Sequence, residues 1–203
     1  MRYESAQPGI RSRHEFSAGA HYDPDNVSFG PIIGLDEHVL RPGAGFDWHG
    51  HRGVHIVSLV LDGTLRHADA AAGERLVQPG TLLVQSAADG FRHTEANASN
   101  TEPLRFAQLT VLDDAIAESS LRVAPAPVEV GGVQVRVERG DVIVDGDNPT
   151  VVLVLRGRYV EGVDRYGPGD CLRRDFGWPA FTAGDGELLL LELPSPPGPT
   201  VEG

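Results

Sequence analysis

Apolar and polar positions along this chain alternate over short distances, and turn formers separate the apolar stretches. Runs rich in Val, Leu and Ile occupy residues 30–35, 55–61, 80–85, 104–112, 128–137, 151–160 and 187–193. Between them stand Arg41-Pro42-Gly43-Ala44-Gly45, Asp62-Gly63, Gln78-Pro79-Gly80, Ala88-Asp89-Gly90, the stretch 145–149 and Gly167-Pro168-Gly169-Asp170. Many short strands at such spacing predict an all-β sandwich or barrel. The pattern predicts one short helix, over residues 113–120.

The run of strands has a seam near 119–132, where Pro125, Pro127 and the Gly131-Gly132 pair cluster. A faint repeat crosses it. Val57-Ser58-Leu59-Val60-Leu61-Asp62-Gly63-Thr64 resembles Val151-Val152-Leu153-Val154-Leu155-Arg156-Gly157-Arg158, and each copy is followed by a Pro-Gly turn. The expected organisation is two barrel-like halves, 1–118 and 133–203, joined by a linker over 119–132. From Pro194 the sequence Pro-Ser-Pro-Pro-Gly-Pro cannot extend a strand ladder, so a loose tail is expected.

Composition narrows the partners. A formal net charge of -12 repels phosphate, which argues against direct binding of nucleic acid or an anionic membrane. No apolar run approaches the ~20 residues that span a bilayer, and no apolar signal region follows the N-terminus. Cys171 is the single cysteine, so neither an internal disulfide nor a thiolate cluster can form. A cytoplasmic monomer is expected.

All eight histidines lie within the first 93 residues, which places the chemistry in the first half. Side chains two apart on a strand share a face, so His49 and His51 aim together, as do His93 and Glu95. On neighbouring strands these pairs would offer three neutral nitrogens and one anionic oxygen. That ligand set suits Fe, Ni, Mn, Cu or Zn, and leaves about two positions open on an octahedral ion. His67, in Arg66-His67-Ala68-Asp69, reads as a solvated turn residue, and His14 and His38 as structural or exposed. Trp48 and Cys171 read as core, and Arg52 as an ion-pair partner of the site loop or a solvated charge.

Gly43 precedes His49 by six residues, Gly50 separates the histidine pair, Gly90 precedes His93 by three and Asn97 follows it by four. These spacings resemble the two motifs of the cupin superfamily. More narrowly, Ser12-Arg13-His14-Glu15-Phe16-Ser17, Tyr22-Asp23-Pro24, Phe29-Gly30-Pro31, Pro42-Gly43-Ala44-Gly45-Phe46, His49-Gly50-His51-Arg52 and Gly90-Phe91-Arg92-His93-Thr94-Glu95 resemble successive blocks of the pirin family. The resemblance implies a bicupin, an all-β fold of two barrels, whose N-terminal barrel holds one metal, most often iron, through His49, His51, His93 and Glu95. It further implies dioxygenase chemistry on a flavonol of the quercetin type or a related enolisable aromatic, with dioxygen as co-substrate. In that reaction Glu95 would take the substrate proton, with His55 as the alternative base. His55 and Asp89 depart from the family pattern. His55 stands where the family usually has a carboxylate, and reads as a fifth ligand, a proton shuttle, a group behind the ligands or a half-buried strand residue. Asp89, near the expected mouth, bears on which substrate enters. Two other functions are consistent with the same sequence, a metal-bearing regulator responsive to redox state and a cupin isomerase or cyclase.

Overall fold

The turn-punctuated runs fold as antiparallel strands. The computed structural model describes residues 3–144, 148–175, 180–183 and 186–194, and the chain divides into two compact units, Met1–Ala126 and Pro127–Gly203. Unit 1 contains β1 (Tyr3–Gln7), β2 (Ile10–His14), β3 (Ile32–Leu40), β4 (Gly45–His51), β5 (Val54–Asp62), β6 (Leu65–Asp69), β7 (Gly73–Val77), β8 (Leu82–Ala87), β9 (Phe91–Asn97), β10 (Leu104–Leu112) and β11 (Ser120–Ala124). Among the described residues these form a seven-stranded sheet, ordered β1-β2-β3-β10-β5-β8-β11, and a four-stranded sheet, ordered β4-β9-β6-β7.

Period-two alternation decides what each strand turns inward. Val60, Leu83, Leu104 and Phe106 of the larger sheet cluster with Leu65 and Val77 of the smaller one, all buried. Side chains of this size contribute roughly 1.5–3 kcal/mol each when fully buried, so the contact between the sheets stabilises unit 1 substantially. A second cluster, Val54, Ile56 and Ala87 with Ile33 and Phe91 against it, fills the space nearer the β4–β5 corner. At that corner Gly53 adopts φ +64, a left-handed backbone that a residue with a Cβ rarely accepts, and the chain passes there from the small sheet to the large one.

Unit 2 contains β12 (Val128–Val130), β13 (Val133–Arg139), β14 (Val142–Ile143), β15 (Thr150–Arg156), β16 (Tyr159–Glu161), β17 (Asp164–Tyr166), β18 (Cys171–Arg174), β19 (Ala180–Ala183) and β20 (Glu187–Glu192). It too has two sheets among the described residues, β12-β13-β20-β15-β18 and β14-β19-β16-β17. Its core is Val142, Val144, Val152, Val154, Tyr159, Leu188 and Leu190.

Several expectations need correcting. No helix forms over 113–120; the Asp113 carboxylate accepts from the Ala115 amide at 2.8 Å, a side-chain bond that competes with helical backbone pairing. The 119–132 linker is largely strand: β11 pairs with β8 in unit 1, and β12 pairs with β13 across the Gly131-Gly132 turn in unit 2. Trp48 is 49% exposed rather than core, and Cys171 is only half-buried. The tail beyond Pro194 lies outside the described residues. No helix among the described residues is long and apolar enough to cross a membrane.

Candidate metal centre

Two strands of the small sheet build the site. In the β4–β9 ladder His49 lies directly opposite His93, Gly50 opposite Arg92 and His51 opposite Phe91. A register irregularity between Phe46 and His49 adjusts β4 just before the first histidine. The result is a convergence: one ring nitrogen each from His49, His51 and His93 falls within 4.8 Å of the others. His93 is completely buried, while His49 and His51 are half-buried.

The protons around these rings favour a cation. His49 Nδ1 lies 2.8 Å from the Asp47 carbonyl, which can only accept, so the proton sits on Nδ1 and Nε2 presents its lone pair. That Nε2 stands 2.9 Å from His93 Nε2. Two nitrogens each ~2.1 Å from one octahedral ion, in adjacent positions, would be ~3.0 Å apart. His51 Nε2 is buried with no hydrogen-bond partner among the described residues, a costly arrangement that a metal would relieve. Burial, followed by the proximity of the other rings, lowers the pKa of His93 to about 2, and burial with His49 nearby lowers that of His51 to about 4. Both are therefore neutral near pH 7, the state in which imidazole ligates. The histidines present fit a divalent transition metal.

Glu95 shares the buried face of β9 with His93, two residues on, and is 1% exposed. Its carboxylate is not among the converging atoms. Ser58 Oγ donates to Oε1 at 3.2 Å, and Gln108 Nε2 donates to Oε1 at 3.0 Å and Oε2 at 2.9 Å. Burial raises the Glu95 pKa, and the Gln108 and Ser58 bonds oppose that rise.

His55 is not brought to the site. It lies three positions before Ser58 on β5 and so projects from the opposite face. Its Nδ1 meets Ser86 Oγ and its Nε2 meets Asp113 Oδ2, each at 2.9 Å. The turn at Gly53 does occur, but it carries His55 away from the three rings. Arg52 is exposed.

The pirin family model matches residues 1–111, more than half of the chain. The chain belongs to the pirin family. It is 44% identical over 106 residues to a Mycobacterium tuberculosis protein provisionally named a quercetin 2,3-dioxygenase, and 34% identical over 105 residues to the Escherichia coli quercetin 2,3-dioxygenase. Each match spans 52% of this chain but only 43% and 46% of those relatives, so the likeness covers less than half of their length. In three dimensions this pirin superposes on the E. coli pirin YhhW, solved in complex with nickel(II), with a TM-score of 0.83 at 22% identity over 96% of both chains. A quercetin 2,3-dioxygenase from Acinetobacter baumannii gives a TM-score of 0.73 at 17% identity, covering 95% of this chain and 85% of that one. At these identities the agreement is one of fold, and it establishes the all-β bicupin architecture.

Four residues of this pirin that surround the site escape a reading from sequence spacing. Ser58 and Gln108 hold Glu95, Gln85 is buried on β8, and His67 is completely buried on β6, with Nε2 2.9 Å from His93 Nδ1. His67 is thus no solvated turn residue: β6 places it opposite Glu95 in the ladder, while Asp69 lies opposite His93. The available signal was a polar residue set among apolar neighbours, as Gln85 after Leu82-Leu83-Val84 and Ser58 in Val57-Ser58-Leu59-Val60. Phe91 stacks edge-on to His93 with centroids 5.0 Å apart, and Phe46 lies 6.4 Å from His49. A cavity of about 590 Å³ in unit 1 is lined by Phe91, Arg92, Asp69, Asp89 and Leu121 among others; it includes Asp89 but none of the three converging histidines.

Proposed function

We propose that this pirin is a metal-dependent dioxygenase of flavonol-like, quercetin-type or related enolisable aromatic substrates, with His49, His51, His93 and Glu95 as ligands of one divalent metal. The observation that carries this reading is the convergence of three imidazoles, two of them cross-strand partners, with a buried carboxylate on the same strand face as His93. Iron is the first expectation, with nickel, manganese, copper and zinc suited to the same donors. When bound, such an ion supplies Lewis acidity that favours the anion of an enolisable hydroxyl.

The chain's own residues would do the rest. Glu95 is the base: burial raises its affinity for a proton, while Gln108 and Ser58 steady its oxygens, so a proton taken at Oε2 is held inside the barrel. Phe46 and Phe91 flank the histidines and offer ring faces and edges to a flat aromatic substrate while restricting water. His55 has no part in the proton transfer, because both its nitrogens are engaged on the other face of β5. The same reading takes the protein as a cytoplasmic monomer whose partners are the aromatic substrate and dioxygen.

The test is elemental analysis of the purified protein together with oxygen uptake on quercetin after loading with iron(II) or nickel(II). About one metal per chain and flavonol-dependent oxygen consumption are expected, with consumption lost in Glu95→Gln. Full metal occupancy without oxygen uptake on any flavonol removes the substrate assignment. Failure of the wild-type chain to bind either metal removes the site itself.

A further inference from the structure

We infer that His67 is the positioning residue of the metal centre: its Nε2 accepts the Nδ1 proton of His93 and thereby commits His93 to present Nε2 to the ion. This rests on the metal site proposed above. His93 has both ring nitrogens engaged, Nε2 facing His49 Nε2 and Nδ1 facing His67 Nε2, each at 2.9 Å. If His93 Nε2 is to offer a lone pair, the ring's one proton must lie on Nδ1, and among the described residues the hydrogen-bond partner of that atom is His67. His67 must then be neutral and carry its own proton on Nδ1. The His67 ring is completely buried, and Gln85 on β8 is buried too, at 1% exposure.

The outcome is a directed donor, His93 Nδ1–H to His67 Nε2, while His67 Nδ1 and the Gln85 amide oxygen are both buried without a hydrogen-bond partner among the described residues. Its geometry is fixed by the sheet. β6 lies next to β9, with His67 opposite Glu95, so the His67 ring meets the His93 ring without the freedom of a loop. A ligating histidine more often has its outer proton held by a carboxylate, a backbone carbonyl or water. A neutral imidazole in that place adds no negative charge of its own to the site.

The experiment compares nickel(II) affinity, by competition with a chelator, in the wild type, His67→Leu and His67→Gln. Loss of an orienting partner typically weakens metal binding by roughly 10–100-fold, and that is the expectation for His67→Leu. In His67→Gln the amide oxygen stands in for Nε2 as acceptor, and most of the loss should be recovered. Nitrogen-15 spectra of the wild-type protein loaded with diamagnetic zinc(II) should show a slowly exchanging proton on His93 Nδ1 and a bare Nε2 on His67. Equal affinity in a folded His67→Leu protein overturns the inference and leaves the metal site standing. Absence of wild-type binding ends both. Should His67→Leu fail to fold, the zinc spectrum still decides: a His93 Nδ1 without its proton overturns the assignment.

Discussion

Units 1 and 2 of this pirin have similar strand pairings and apolar cores, and they differ in what one matching pair of positions turns inward. In unit 1, β5 lies between β10 and β8, and in unit 2, β15 lies between β20 and β18. The sequence repeat sets Ser58 against Val152. The ladders agree, since Gln108 faces Ser58 across β10–β5 and Leu190 faces Val152 across β20–β15. Where unit 1 has a Ser–Gln pair gripping a buried carboxylate, unit 2 has Val152 and Leu190 packed in its core. One strand pairing thus supports either a polar site or an oily interior, and two side chains per ladder help decide which. The polar choice is the expensive one, because every buried hydrogen-bonding atom needs a partner.

The largest effect expected from breaking this contrast is chemical. His93→Ala removes the buried member of the nitrogen cluster and should weaken metal binding by more than the roughly 100-fold upper range for losing an orienting partner alone, as read by metal analysis and chelator competition. Retained stoichiometric metal in this variant would show that the ion sits elsewhere.

Acid sensitivity should also separate the units, since every histidine lies in unit 1. Burial lowers the His38 pKa to about 4 from 6.5. Above pH 6.5 neither folded nor unfolded chain is protonated there, and the residue contributes no pH dependence. Between 6.5 and 4 the unfolded chain takes up a proton that the folded one refuses, so stability falls as pH falls, by ~3 kcal/mol in all, and levels off below. Hydrogen exchange followed peptide by peptide should show protection declining in unit 1 over this window and holding steadier in unit 2. His38→Leu should make the unit 1 curve shallower, the remaining slope coming from His51 and His93, whose pKa values burial also holds low.

Smaller effects should come from exchanging the interiors. Gln108→Leu leaves the Glu95 carboxylate short of charge-assisted bonds and should cost unit 1 about 2–3 kcal/mol in denaturant melts. Val152→Ser places a hydroxyl in the apolar core of unit 2 and should cost about 1–3 kcal/mol there, without creating any metal affinity. A neutral Gln108→Leu would mean that Glu95 is supported by groups other than those seen.

Much of the architecture was legible because its strands are bounded by glycine and proline turns: residues 104–112 fold as β10 with the ends the pattern gave. The histidines of β4 and β9 were legible from period-two spacing. What escaped depends on tertiary placement. His67 sits in a short polar stretch that resembles a turn and is buried only because β6 packs beside β9. His55 follows a real corner at Gly53, yet strand parity, which spacing from a glycine does not reveal, sends it to the far face. At 113–120 the helix signal was weak, and the Asp113 carboxylate settled the backbone into a turn instead.

The direct opposition of His49 and His93 has a consequence for how the barrel assembles. If β9 slid by a single residue along β4, its inward and outward sides would exchange, so that Arg92 and Thr94 entered the interior and the imidazole and carboxylate left it. Such a misaligned ladder would have nothing with which to grip a cation. An ion available during synthesis would therefore select the correct alignment by mass action, acting as a proofreader of the fold before it serves any chemistry.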